Sequence, residues 1–245
     1  MRCFDSLAYL CVVQNAKILF FLFLVILSMH SCKDENGNSF FSPKRIDPPS
    51  VEDRASIDDR EIMDRSMWQK PAVILGMLGD VKGKTIADIG SGTGYFTFHL
   101  AYLDAKTIAI DIDQEMLEHI DVFKKKLPDD LIPNIETRLA KEDDPLLEEG
   151  EVDHAIIINT IGYIDNMTDY LRTLKPGIKQ DGSVVIVDYK LASGKIHAPS
   201  PDVLVTAEEV ANALSQAGYT NIDIDANSLK YQYVITACVS ADCIL

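Results

Sequence analysis

Lys84-Thr85-Ile86-Ala87-Asp88-Ile89-Gly90-Ser91-Gly92-Thr93-Gly94-Tyr95-Phe96-Thr97-Phe98 is the stretch on which the fold turns. Ile86, Ala87 and Ile89 read as the end of a buried strand. Gly90 to Gly94 read as a tight turn, and an apolar helical pattern opens at Tyr95. Three glycines without Cβ atoms let the backbone take positive φ and come close to a ligand. The first N–H groups of the following helix face whatever lies above the strand end and favour an anionic group there. Asp88 puts a carboxylate at the same edge. The expectation is a nucleotide-like or amino-acid-like ligand site at the carboxyl end of a first strand, with Asp88, Gly90, Ser91, Gly92, Gly94 and Tyr95 around it.

The spacing narrows the ligand. A dinucleotide fingerprint wants Gly-x-Gly-x-x-Gly, but here the third glycine comes one residue early and Tyr95 stands in its place. A phosphate-gripping loop would end in Gly-Lys-Ser or Gly-Lys-Thr, and neither follows. Asp-x-Gly-x-Gly-x-Gly at the end of a first strand resembles motif I of the class I S-adenosylmethionine-dependent methyltransferases. Downstream, Thr107–Ile110 reads as a second strand, ending in Asp111-Ile112-Asp113 before a helical Gln114-Glu115-Met116-Leu117. The resemblance implies S-adenosylmethionine as cofactor, Asp111 as the acceptor for its ribose hydroxyls and Ile112 as the residue packed on its adenine. Asp113 reads as a helix N-cap.

The remaining pattern fits a doubly wound, mostly parallel α/β sheet with an antiparallel C-terminal strand. Asp153–Ile158 is a fourth strand whose Ile156-Ile157-Ile158 run suits burial on both faces. Leu174-Lys175-Pro176-Gly177 ends a helix, Asp181-Gly182 follows as a turn, and Ser183–Val187 is a fifth strand. Thr206 with Glu209 makes a capping box, and Gly218 ends that helix. Ile222–Ile224 and Tyr231–Ala237 form a closing antiparallel pair. Trp68-Gln69-Lys70-Pro71 upstream and Glu142-Asp143-Asp144-Pro145 resemble a bacterial subgroup of small class I methyltransferases. Trp68 reads as a core anchor, and Pro71 suits a first helical position.

Two departures from the family pattern stand out. Leu139-Ala140-Lys141 occupies the third strand end, where the family has Gly-Asp. The resemblance therefore passes the adenine amino contact to Asp143. After the fourth strand, Ile161-Gly162-Tyr163 replaces the subgroup's aromatic–His pair, so no general base is carried over. Asn159 reads either as a contact to the cofactor's methionine end or as a strand-end cap. Tyr163 and Asp188 are the candidate catalytic residues, each with packing or capping as the competing reading. His154 falls at the opposite sheet edge and His99 inside a helix. No Cys, His and carboxylate grouping has metal-ligand spacing.

The chain has 245 residues and a formal charge of −15, which argues against a DNA or RNA substrate. Lys124-Lys125-Lys126 is the only basic run, and it suits a helix C-terminus. Ile18–Leu27 is ten apolar residues behind Lys17, about 15 Å as a helix and too short for a hydrocarbon core of ~30 Å. Residues 1–31 therefore read as a signal peptide. Cys32 resembles a bacterial lipoprotein acylation site, and Lys33-Asp34-Glu35 resembles a surface-export tag. Residues 32–55 would be the lipidated Cys and a tether, and 56–245 the folded domain. Cys238 and Cys243 would close a small loop in an oxidising compartment, with a free pair near a frayed end as the favoured alternative.

These halves pull apart, since S-adenosylmethionine is made in the cytosol. The leading expectation is a methyltransferase for a small-molecule acceptor, lipid-anchored in the cell envelope, with a cytoplasmic location as the alternative. The competing class is a non-catalytic envelope binding module that keeps the cofactor fold. A nicotinamide-dependent oxidoreductase is disfavoured by the glycine spacing.

Overall fold

The computed structural model describes residues 65–191 and 199–243. The signal peptide, Cys32 and tether readings lie outside them. Two short helices come first, α1 (Arg65–Gln69) and α2 (Pro71–Gly76), with Pro71 at a first helical position as expected. Seven strands follow: β1 (Thr85–Ile89), β2 (Lys106–Asp111), β3 (Ile135–Leu139), β4 (Val152–Ile158), β5 (Ile178–Tyr189), β6 (Thr220–Asp225) and β7 (Gln232–Cys238). Between them lie α3 (Tyr95–Tyr102), α4 (Gln114–Lys124), α5 (Met167–Leu174) and α6 (Ala207–Gln216).

All seven strands form one sheet in the order β3-β2-β1-β4-β5-β7-β6. Pairings are parallel from β3 through β5, and β7 runs antiparallel to both β5 and β6. The chain builds outward from β1 to β3, then returns to lay β4 against the other side of β1. Strand order reverses there, and the crevice above the carboxyl ends of β1 and β4 is where such sheets bind ligands.

Successive strand residues point to opposite faces, so each strand feeds two cores. Ala87, Ile89, Ile157, Val184 and Ile186 pack with Leu171 and Leu174 of α5 and Val210 and Leu214 of α6. Ile86, Ile156, Ile158, Val185 and Val187 pack with Ile74 and Leu75 of α2 and Phe96 and Leu100 of α3. Helices on both faces explain the unbroken Ile run of β4. Each such side chain contributes roughly 1.5–3 kcal/mol on burial.

The capping box of Thr206 and Glu209 forms as the sequence implied, and Asp113 caps α4 by accepting the Glu115 N–H. Two expectations need correcting. β5 begins at Ile178, so Asp181-Gly182 lies inside the strand rather than before it. Its pairing with β4 skips from Val152↔Ile178 to His154↔Ser183, a local bulge on the β5 side. A Cβ at Gly182 would run into the Asp153 carbonyl, so the close approach there requires glycine. Second, Cys238 and Cys243 are a disulfide, with Cα atoms 5.7 Å apart, and not a free pair.

His154 lies at the amino ends of the strands, as its sequence position implied. Lys84 Nζ lies 3.0 Å from its Nε2, and its Nδ1 lies 2.8 Å from Ser183 Oγ and accepts the Ser183 N–H at 3.2 Å. Burial first, then the Lys84 ammonium, pushes this imidazole down to about 4. Its unfolded value is near 6.5, so between those two values the unfolded chain binds a proton that the folded chain refuses. Stability therefore falls as pH drops through that window, by about 3 kcal/mol in total. Denaturant unfolding of wild type and His154→Gln from pH 7 to 4 checks this. The variant's stability should fall less steeply, and parallel curves would remove His154 as the cause.

Candidate cofactor site at the strand switch

The glycine loop sits where strand order reverses. Gly90 has φ +68°, and a Cβ there would collide with the Thr160 side chain. Only glycine lets the loop after β1 lie so close to the loop after β4. Gly94, at φ +85°, begins α3, and its Cβ would crowd Ile120. Gly92 differs: at φ +51° it has open space where a Cβ would point. That space is left for a ligand to approach the backbone.

Asp111, at the end of β2, is locked to this loop. Its Oδ2 accepts the Gly92 N–H at 2.8 Å and its Oδ1 accepts the Asp113 N–H at 3.0 Å. A carboxylate has about four lone-pair sites, so each oxygen retains capacity for a ligand hydroxyl. Beside it a cavity of about 280 Å³ is lined by Gly90, Asp111, Ile112, Lys141, Thr160 and Tyr163, among others. Ile112 is 58 % exposed, an apolar side chain open toward that space. Ser91 Oγ is buried without a hydrogen-bond partner among the described residues, a polar atom set for a ligand to satisfy.

Asp88 is 3 % exposed and accepts the Thr97 hydroxyl at 2.6 Å. Desolvation raises its carboxyl to about 6, against the lowering effects of Thr97 and the nearby Arg65 guanidinium. A cationic group arriving at this edge would favour the ionised form. Tyr95 opens α3 with its ring 4.3 Å from the Arg65 guanidinium carbon.

The remaining expected residues are dispersed. Asp143 is exposed on the turn closed by the Lys141–Asp144 bridge and lines an adjoining depression with Asp165 and Asp169. Tyr163 stands on the cavity wall, 62 % exposed. Asp188 is buried, and desolvation raises its carboxyl to about 6 although it accepts the backbone N–H groups of Tyr189 and Gly162. It ties β5 to the loop after β4 and acts there as a structural acceptor. A Cβ at Gly162 would strike the Val203 carbonyl, so backbone closes over the place where an imidazole would otherwise stand. Asn159 adopts φ +60° and accepts hydrogen bonds from Gln69 and Gln232.

Arg65 adjoins Tyr95, and Gln69 and Gln232 hold Asn159; sequence reasoning passed over all three. Gln69 stood in the Trp68–Pro71 run already noted, but Trp68 drew the attention. Trp68 is the core anchor expected, stacked on Tyr189 with ring centroids 6.0 Å apart. Arg65 and Gln232 carry no local spacing signal, because only the sheet order brings the start of β7 beside α1.

Residues 87–184 match the family described as Methyltransferase domain. The chain is 33 % identical over 129 residues to a demethylmenaquinone methyltransferase of Lactococcus lactis, a match covering 50 % of this chain and 48 % of that protein. It thus spans about half the length of this curated relative. Among solved structures, it superposes on a SAM-dependent methyltransferase from Aquifex aeolicus with a TM-score of 0.65 at 24 % identity, covering 74 % of this chain and 96 % of that one. It also superposes on Haemonchus contortus phosphoethanolamine N-methyltransferase 2 in complex with S-adenosyl-L-methionine, with a TM-score of 0.59 at 15 % identity, covering 70 % and 52 %. The open loop, the fixed Asp111 carboxylate and the unpartnered Ser91 hydroxyl fit that cofactor. Fold, family match and site chemistry together support a class I, Rossmann-like methyltransferase domain with S-adenosylmethionine as its cofactor.

Proposed function

We propose that the protein transfers a methyl group from S-adenosylmethionine to a small-molecule acceptor, and does so in the cell envelope on a lipid anchor at Cys32. The observation that carries the catalytic part is the Asp111–Gly92 hydrogen bond. It fixes the second-strand acid to the first-strand loop, so that both lines of the motif act as one site. When bound, the cofactor supplies an activated methyl group, and the chain's work is placement. Asp111 would hold the ribose hydroxyls, Ile112 the adenine face, and the open backbone at Gly92 the methionine end. The loop after β4 borders the crevice through Thr160, Tyr163 and Ile164 and would limit water there. Aligning an acceptor within near-attack distance is worth far more than any single contact.

Charge supports a small molecule over nucleic acid, since a chain at −15 would repel phosphates. The disulfide supports export, because such bonds persist in oxidising compartments. Gly162 in place of the subgroup's aromatic–His pair favours a second reading, a binding module that holds the cofactor without transfer. Calorimetric titration with S-adenosylhomocysteine, followed by labelled-methyl transfer to an envelope small-molecule extract, separates them. Binding without transfer supports the module, and absence of binding overturns both.

Location has its own test. Several acyl chains anchor a protein stably where one does so marginally. Wild-type protein in cells fed a tagged fatty acid should be labelled and partition with membranes. Cys32→Ser should be unlabelled and remain an unprocessed precursor. An unlabelled wild-type band in the cytosolic fraction would overturn the anchor and place the domain beside its cofactor.

A further inference from the structure

Next to the cofactor cavity lies a second depression of about 340 Å³, built from three separate pieces of chain. The turn after β3 brings Glu142 and Asp143, the loop after β4 brings Ile164 and Asp165, and the first turns of α5 bring Asp169 and Tyr170. Ile164 and Tyr170 line both spaces and form the wall between them. Asp143 lines the depression and not the cofactor cavity, so its carboxylate is offered to a different occupant.

The depression carries unanswered negative charge. Asp169 is answered locally: Arg172 pairs with it, and the Asn166 amide donates to its other oxygen at 2.6 Å. It also stands in the first turn of α5, where the partial positive charge of the helix end favours an acid. Glu142, Asp143 and Asp165 differ, since the carboxylate of none of them forms an ion pair or hydrogen bond among the described residues. Lys141, the cation next in sequence, lines the cofactor cavity instead.

An acidic cluster alone does not make a site, and Tyr170 supplies the independent sign of a ligand. It is 5 % exposed, yet its hydroxyl has no hydrogen-bond partner among the described residues. Buried phenols ordinarily find one. Tyr219 donates to the Leu171 carbonyl at 3.2 Å and Tyr233 to the Val205 carbonyl at 3.1 Å. Burial, then the Asp144 carboxylate, holds the Tyr170 phenol above the ordinary tyrosine range. It is therefore a neutral O–H on the wall of the depression, with its lone pairs free to accept.

The layout selects the kind of cation. No three His, Cys or carboxylate groups among the described residues are placed to share a metal ion. The acids stand on two different loops, with apolar surface from Ile164 and the Tyr170 ring in the same lining. Amino groups spaced along an aliphatic chain match that arrangement, because each ammonium has three donors and no acceptor. We propose that this depression binds an organic polyamine. Glu142, Asp143 and Asp165 take its ammonium groups, and the Tyr170 hydroxyl accepts from one of them. An amine that fixes Tyr170 and Ile164 also fixes a wall of the cofactor cavity, so the two ligands should bind more tightly together, each aiding the other equally. The site stands apart from the methyl-transfer reading, and only this coupling rests on it.

The test is calorimetric titration of the full chain with spermidine, first without any adenosyl ligand. The wild type should bind it at one site, and n-butylamine, with a single amino group, about tenfold or more weakly. Asp143→Asn combined with Asp165→Asn should weaken spermidine by about tenfold or more. Tyr170→Phe keeps the ring, loses only the hydroxyl, and should cost about threefold. Asp129→Asn combined with Asp130→Asn removes the same charge from exposed positions ahead of β3 and should change little. Equal losses in the two double variants would mean diffuse attraction to an acidic chain and overturn the site, as would wild-type affinity in folded Tyr170→Phe. With spermidine saturating, S-adenosylhomocysteine should bind the wild type several-fold tighter, and Tyr170→Phe should shrink that gain. No change in the wild type overturns the coupling. Spermidine binding by a chain that takes no adenosyl ligand would leave this site standing and remove the cofactor reading instead.

Discussion

Gly92→Val is expected to abolish measurable binding of S-adenosylhomocysteine in a protein that still folds. Gly92 sits at φ +51°, and nothing lies within 4 Å of where its Cβ would be. A Cβ there therefore meets no atom of the described residues outside its chain neighbours. The left-handed backbone still penalises a branched residue by about 1–2 kcal/mol, a modest loss for a domain of this size. A ligand that must approach the backbone meets the isopropyl group directly. Gly90 is the useful contrast, because any side chain there meets Thr160 and the damage reaches the fold itself. Circular dichroism and thermal melting establish that the Gly92→Val protein is folded, and calorimetry then reads affinity. Full affinity in that folded variant would sink the assignment of this loop as the cofactor site.

Asp111→Ala should weaken binding of the same ligand by roughly 1.5–3 kcal/mol, about 10- to 150-fold. Two effects add. The ribose hydroxyls lose a charged acceptor, and the Gly92 and Asp113 N–H groups lose the carboxylate that positions them. The second effect argues for the upper end of the range. Titration of the variant beside wild type decides it, and unchanged affinity would exclude Asp111 as the ribose ligand.

The glycine loop, the acid after β2 and the alternation of strands with helices were all legible in the sequence, because each is written in consecutive residues. So was the capping box at Thr206, a pattern four residues long. Two features were misread for want of partners. Asp181-Gly182 has the composition of a turn, yet β5 runs through it as a bulge between the paired Ile178 and Ser183, with Gly182 against the Asp153 carbonyl. Cys238 and Cys243 were expected to be a free pair, and only the return of the chain after β7 closes them into a disulfide. The contacts joining Gln69, Gln232 and Asn159 were invisible for a stronger reason. Gln69 and Gln232 lie 163 residues apart, and neither type announces a role until something fixes which way its amide faces. Asp188 shows the converse. Its sequence position left chemistry and capping open, and its acceptance of the Tyr189 and Gly162 backbone N–H groups fits the capping reading.

Trp68 was described above only as an anchor for α1, yet it is the sole tryptophan in the chain. It is buried, stacked on Tyr189, and adjoins Gln69 in sequence. Indole fluorescence from this protein thus comes from one place, the junction between α1 and the end of β5. Movement of α1 away from the crevice would wet that ring and shift its emission to longer wavelength, without any label. The molecule carries a built-in optical gauge of whether the helix Arg65–Gln69 is seated.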